Sequence, residues 1–256
     1  MTEVAMDSGR VLIEDREVDG GRIRILRLDR PEKRNALNTR LLSTLLGALR
    51  VSAEDADIRA IVLAANGPSF CAGGDTKEFA VSQHDRVVAR AKILADVLEA
   101  PSKAAIPVVS AVQGAASGAG AALALSADLI IAGPGFSLAY PELPKGIVPS
   151  MVMPSAMRLG RALAFELVTT GRPLGAAEAV ARGVVNRAVE TDVVTAAIDV
   201  AAGYASLDRD VLATTKRLFI RQAAMEPSAG VCEGFSLLAQ TASATNCYED
   251  TSFERV

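Results

Sequence analysis

The stretch Val112-Gln113-Gly114-Ala115-Ala116-Ser117-Gly118-Ala119-Gly120-Ala121-Ala122 decides how this chain folds. It closes an apolar run over residues 107–112 and leads into a small-residue helix predicted over 121–126. An apolar run of that length without alternation is the pattern of a strand covered on both faces. A glycine loop between such a strand and a helix aims backbone N–H groups, and the positive end of the helix dipole, at one region of space. The same arrangement stands earlier in the chain. There a strand predicted over 58–64 leads into Ser69-Phe70-Cys71-Ala72-Gly73-Gly74-Asp75-Thr76-Lys77-Glu78-Phe79.

One such loop by itself is either a nucleotide-binding turn or a place of close backbone packing. The nucleotide reading fails in detail. The chain has no GxxxxGK, and Gly118-Ala119-Gly120 continues as Ala121-Ala122-Leu123, without the third small residue of a GxGxxG/A fingerprint. No acidic residue closes a second strand at the position that a ribose contact needs.

Outward from these loops, two short strands, 11–13 and 23–28, open the chain around a turn at Gly20-Gly21. Asn38 caps a helix whose apolar stripe is Leu41, Leu42, Leu45, Leu46 and Leu49. Further on, a helix is predicted over 85–98, a strand over 129–131 and a proline-rich loop over 139–149. From Ser155 onward the pattern is helical, with one short apolar run at Val184-Val185. The order is α/β with a helical C-terminal part, and its β units recur at intervals of about 45 residues, as repeats do.

Composition sets the bounds. Of 256 residues 50% are hydrophobic and 22% charged, an ordinary globular balance, and the net charge of -3 offers no basic face for nucleic acid. Cys71, Cys232 and Cys247 are too few and too scattered for a disulfide framework and fit a reducing cytoplasm. His84 is the only histidine, so neither a zinc site nor a Ser-His-Asp triad is expected; its polar surroundings mark the start of a helix. The apolar stretch 104–133 is broken by Pro107, Gln113, Asp128 and several glycines, and reads as buried core, not as a membrane span. The first 20 residues lack the apolar core of a signal peptide.

Taken with their flanks, the two loops resemble the signatures of the crotonase (enoyl-CoA hydratase/isomerase) superfamily. Pro31-Glu32-Lys33-Arg34-Asn35-Ala36-Leu37-Asn38 is similar to the first, 70–77 to the second, 112–129 to the third, and Tyr140-Pro141-Glu142 with Gly146-Ile147-Val148-Pro149 to the fourth. Leu167 to Gly171, Ala176-Ala177-Glu178-Ala179 and Gly183-Val184-Val185 match a further helical stretch. The resemblance implies an α/β, crotonase-like ββα spiral core over about 1–200 and a C-terminal helical oligomerisation segment over about 201–256. It implies a homotrimer or a dimer of trimers. Phe253-Glu254-Arg255 resembles the family's C-terminal end, and the segment from 201 carries Leu212, Leu218, Phe219, Phe235, Leu237 and Leu238. Packing of that segment on its own domain accounts for the apolar pattern equally well.

The resemblance also implies the chemistry. An acyl-CoA thioester loses a proton, and the charge settles on the thioester oxygen. The backbone N–H groups of Gly74 and Ala119 would hold that oxygen, where one such donor is typically worth on the order of 100- to 1000-fold in rate. Most family members have glycine in place of Ala119; alanine serves as long as its backbone needs no positive φ. Coenzyme A would be met by Lys33, Arg34 and Ala36 on the first loop and by Ala72, Asp75, Thr76 and Lys77 on the second, with Tyr140 beside the acyl group. Coenzyme A belongs to the substrate, and no metal or redox cofactor is implied.

Hydratases of the family use two glutamates. Glu142 stands at one of these positions, but Ala122 stands at the other. A single carboxylate can still take a proton from one carbon and return it to another, a 1,3-shift of a double bond, and burial of Glu142 would make it a stronger base. An enoyl-CoA isomerase is therefore the first expectation. The alternatives are a hydratase or other crotonase-type enzyme whose extra group lies elsewhere, for instance at Tyr140 or Glu78, and a silent acyl-CoA binder. Ser150-Met151-Val152-Met153-Pro154 replaces the family's glycine-rich stretch and reshapes the expected acyl pocket.

Overall fold

The computed structural model describes residues 9–80, 84–223 and 225–244. β1 (Arg10–Val18) and β2 (Gly21–Asp29) form an antiparallel ribbon in register from Arg10 opposite Asp29 to Val18 opposite Gly21. Both strands outrun the predicted ones, because pairing extends through polar residues that show no apolar periodicity. The left-handed φ of Gly20 (90°) makes the tight turn between them.

α1 (Thr39–Glu54) is capped by the Asn38 side chain, whose oxygen accepts from Leu41 N–H at 2.8 Å. Its five stripe leucines are all buried, as the spacing predicts. β3 (Ile58–Ala65) then adds parallel to β2, with seven of its eight residues buried. After α2 (Thr76–Ala80) and α3 (His84–Lys103) come β4 (Val108–Val112), β5 (Ala115–Ser117), α4 (Ala119–Ser126), β6 (Leu129–Ala132) and β7 (Ser137–Ala139). α5 (Met153–Ala156), α6 (Arg161–Thr170), β8 (Leu174–Gly175), α7 (Ala176–Ala181), β9 (Arg187–Ala188), α8 (Val193–Ala202), α9 (Arg209–Gln222) and α10 (Pro227–Ala244) complete the order.

The six-stranded sheet runs β1-β2-β3-β4-β6-β9, and a three-stranded sheet runs β5-β7-β8. Successive turns of chain supply one piece to each: β3 with Cys71, β4 with β5, β6 with β7, Cys71 bridging Ala116 and β5 pairing in parallel with β7. This is the α/β spiral expected, with two corrections. The turns are not evenly spaced, since β6 follows β4 after one short helix whereas α2 and α3 separate β4 from β3. The part beyond Ser155, expected to be helical, also holds β8 and β9; β9 lies just beyond the apolar run Val184-Val185 and pairs with β6, while Val185 packs into the core.

α1, α3 and α4 cover one face of the large sheet and α8 the other, where Val193, Val194, Ala197 and Ala201 meet Ile23, Ile25, Val62 and Val109. α8 runs across residue 200, so the sheet's back layer extends to the start of the predicted helical segment. In α9, Lys216 is buried and donates to the carbonyls of Pro101 (2.7 Å) and Ile106 (2.9 Å) while pairing with Asp128 (2.7 Å). That clamp closes the C-terminal end of α3 and fastens α9 to its own core. Phe219 (81% exposed) and Phe235 (72%) stay on the outside of α9 and α10. Phe253, Glu254 and Arg255 lie outside the described residues. Among the described residues no helix is long and apolar enough to cross a membrane.

Candidate active site

Three segments meet at one end of the small sheet: residues 30–38, 71–78 and 114–122. Leu37 N–H donates to Gly73 O (2.8 Å) and Asp75 N–H to Leu37 O (3.0 Å), a one-residue parallel bridge between the first two segments. Ala72 N–H donates to Arg34 O (2.9 Å) beside it. On the other side, Cys71 N–H donates to Ala115 O (3.1 Å) and Ser117 N–H to Cys71 O (2.9 Å).

These bonds aim two N–H groups. The Gly73–Gly74 peptide is trans, so its C=O and N–H point in opposite directions. With the Gly73 carbonyl turned onto Leu37, the Gly74 N–H points away from the first segment. At the start of α4 the Gly118 carbonyl accepts from Ala122 N–H (2.9 Å), which sends the Ala119 N–H out of the helix end. Gly73 closes on this end: a Cβ there would stand 3.6 Å from the Ala119 nitrogen and 2.7 Å from Ser117 O. The left-handed φ values belong to Gly73 (95°) and Gly118 (53°), not to Ala119. Alanine is therefore unstrained at this helix start.

Glu142 enters from the loop after β7. Its carboxylate lies against Gly118, whose missing side chain makes the space: a Cβ there would overlap Oε1. Oε2 is buried without a hydrogen-bond partner. Burial holds the carboxyl above the ordinary range; the residue's own backbone N–H and Lys145 act the other way. Leu143, the next residue, is exposed, whereas Gly118 packs directly against the carboxylate. Ala122, one helical turn beyond Gly118, is fully buried and brings no titratable group. Further along the chain from Glu142, Ile147, Val148, Met151 and Met153 are exposed and apolar.

Two of the sequence-predicted contact residues have side chains turned into the protein. Tyr140 is fully buried, with its hydroxyl 3.3 Å from Ser155 Oγ. Asp75 turns its carboxylate inward, accepting from Lys77 N–H (3.0 Å) and pairing with Arg30 (2.8 Å). Lys33, Arg34, Thr76 and Lys77 are exposed at the rim, and Ala36 and Ala72 are half-buried between them. Glu78 is engaged by Thr39 N–H (2.9 Å) and Arg90 (2.9 Å), and Arg90 also donates to Leu37 O.

Arg30 and Asn35 hold the first segment, and sequence reasoning passed over both. Arg34 and Asn35 adopt left-handed φ (50° and 54°). Buried Asn35 fixes that turn, donating to Asn66 O and Ser69 O (2.9 Å each) and accepting from Arg30 N–H (2.9 Å). Asparagine tolerates this conformation, and an Asn after a Pro-led polar run was the available signal. For Arg30 there was none: a charge at a strand end before Pro31 is ordinarily solvated.

With this geometry in view, the comparisons are direct. The family described as enoyl-CoA hydratase/isomerase matches residues 20–249. This chain belongs to that family. It is 33% identical over 220 residues to enoyl-CoA hydratase domain-containing protein 3, mitochondrial, of Rattus norvegicus, covering 82% of this chain and 71% of the relative. Its fold is similar to a crystal structure of enoyl-CoA hydratase from Mycobacterium smegmatis (30% identity, TM-score 0.83, 90% of each chain). It is likewise similar to an enoyl-CoA hydratase from Bacillus anthracis (26%, TM-score 0.85, 93% of this chain and 92% of that one). Within this family fold, Ala119 stands at a helix start and the Glu142 carboxylate lies over Gly118.

Proposed function

We infer that the protein is an enoyl-CoA isomerase that moves a double bond by a 1,3-proton shift through a thioester enolate. One observation carries this reading: the Glu142 carboxylate lies over Gly118 through Oε1 and keeps Oε2 buried and unpartnered, while Ala122 supplies no second carboxylate. The thioester carbonyl oxygen sits between the N–H groups of Gly74 and Ala119. Both donors are fixed by the folded backbone before substrate arrives, so little reorganisation is needed as charge develops. Glu142 takes the proton from one carbon, holds it in a partly dehydrated site, and returns it two carbons along. Ala122 offers no second base to activate a water molecule.

The nucleotide end of coenzyme A lies along the rim, with Lys33, Arg34 or Lys77 meeting its phosphates. The exposed apolar residues Ile147, Val148, Met151 and Met153 receive the acyl chain. Exposed Phe219 and Phe235 on α9 and α10 support assembly into trimers. Hydration of a 2-enoyl-CoA is the second reading, favoured by the hydratase names of the relatives just cited.

The test is incubation with a 3-enoyl-CoA and, in parallel, a 2-trans-enoyl-CoA in deuterated water, read by mass spectrometry. Conversion of the 3-enoyl thioester without gain of water is the expected result. Addition of water to the 2-enoyl thioester would establish the hydratase, and inertness toward both would point to a silent binder.

A further inference from the structure

Arg30 is the least expected charge in the molecule. Its side chain is fully buried, yet it stands where the sequence leaves the ribbon strand β2. One nitrogen, Nη1, reaches both loops of the site: it donates to Ala36 O at 2.7 Å and pairs with Asp75 Oδ2 at 2.8 Å. Those two partners flank the Leu37 bridge. Ala36 precedes Leu37, whose N–H holds the Gly73 carbonyl, and Asp75 follows Gly74 and bonds back to Leu37 O. The guanidinium thus fixes the position of the first segment against the second at the one peptide whose rotation sets the direction of the Gly74 N–H. Gly73 and Gly74 have no side chains to resist that rotation, so the restraint has to come from neighbours.

We propose that Arg30 is a positioning residue for catalysis: through Ala36 and Asp75 it holds the Gly73–Gly74 peptide so that the Gly74 N–H meets the thioester oxygen. The inference rests on the reading of Gly74 as a donor to that oxygen and deepens it. Arg30 itself touches no reacting atom. Nη1 makes both contacts, and the rigid, permanently charged guanidinium plane holds that nitrogen in place; a lysine offers a compact point charge on a flexible stem.

The experiment uses the full chain with butyryl-CoA labelled with 13C at the thioester carbonyl, read by infrared difference spectroscopy, beside turnover of a 3-enoyl-CoA. Bound to the unaltered protein, the carbonyl frequency falls as the two N–H groups polarise the bond. In Arg30→Lys most of that fall disappears, kcat drops about 10- to 100-fold, and KM stays within about threefold. Asp75→Asn, which keeps the side-chain volume, gives the same signature and serves if Arg30→Lys does not fold. A variant that melts earlier but keeps the full frequency shift and kcat would show Arg30 to be structural only and overturn the proposal. The unaltered protein decides the underlying reading separately: without a frequency change on binding, the donor role of Gly74 falls and the proposal falls with it.

Discussion

The Glu142 carboxylate occupies the space that a side chain on Gly118 would fill, with Oε1 inside the reach of a Cβ built there. Gly118 is also left-handed, at φ 53° and ψ -119°, where an L side chain is strained. Two separate demands, a conformation and a cavity, thus fall on one residue at the start of α4. Gly118→Ala is expected to push the carboxylate out of line and lower kcat about 100-fold or more, the range typical of losing a positioned base. Steady-state turnover with a check of folding by circular dichroism decides it; unchanged kcat would mean that Glu142 does not work from this position.

Burial raises the Glu142 pKa above its ordinary value. The base is active only when ionised, so kcat should fall as pH drops through that raised value, on an acid limb above the usual glutamate range. The sign for stability is the reverse. A raised carboxyl pKa contributes stability that is present below the ordinary value and lost as pH rises through the folded one. Glu142→Gln should therefore abolish turnover yet melt higher than the unaltered protein at pH 7, the gap narrowing toward pH 4. Equal melting temperatures at both pH values would show that burial of this carboxylate carries no cost.

Ala122 N–H bonds to Gly118 O, one helical turn from the carboxylate. A glutamate there would supply the second carboxylate that water addition needs. Ala122→Glu should gain the ability to add water to a 2-enoyl-CoA, seen as a product heavier by one water. It should lose stability as well, because Ala122 is fully buried and the new chain overpacks the site by about 1–3 kcal/mol. Denaturant unfolding with mass spectrometry of the products tests both halves.

Lys216 satisfies two carbonyls and one carboxylate in the core between α9, α3 and Asp128. Lys216→Met keeps the stem but leaves the carbonyls of Pro101 and Ile106 without this donor, while Asp128 still accepts from Val108 N–H (2.8 Å). The expected loss is about 1–3 kcal/mol, the range for leaving buried polar groups unmet. Hydrogen exchange should show α9 opening before the sheet; uniform protection across both would argue against the clamp.

The leucine stripe of α1, the unbroken apolar runs of β3 and β4 and the glycine loops behind them were legible from the residues alone. In each, the information lies within one stretch: side chains three or four apart share a helix face, and an apolar strand is covered on both sides. Glu142 was singled out differently, through the resemblance of its proline-led motif to a family signature and not through any pattern of its own. The extent of β1 was not legible, because its pairing is made by backbone groups that leave no mark on side-chain pattern. β9 escaped for a related reason: two exposed residues join the sheet through β6, and the apolar residues just before them serve the core instead.

What the sequence by itself determined is the list of parts: two strand–glycine–helix units, one carboxylate, one alanine where a second carboxylate might have stood, and hence the family. What only the tertiary structure decided is how those parts face one another. Arg30 and Asp75 are far apart in sequence and meet only after the sheet forms. Gly118 carries the left-handed turn that spares Ala119, and the carbonyl of Gly73 fixes where the Gly74 N–H points. The physical reason is that a side-chain pattern records which faces are buried, whereas the direction of a peptide group depends on a hydrogen-bond partner brought in from a distant part of the chain.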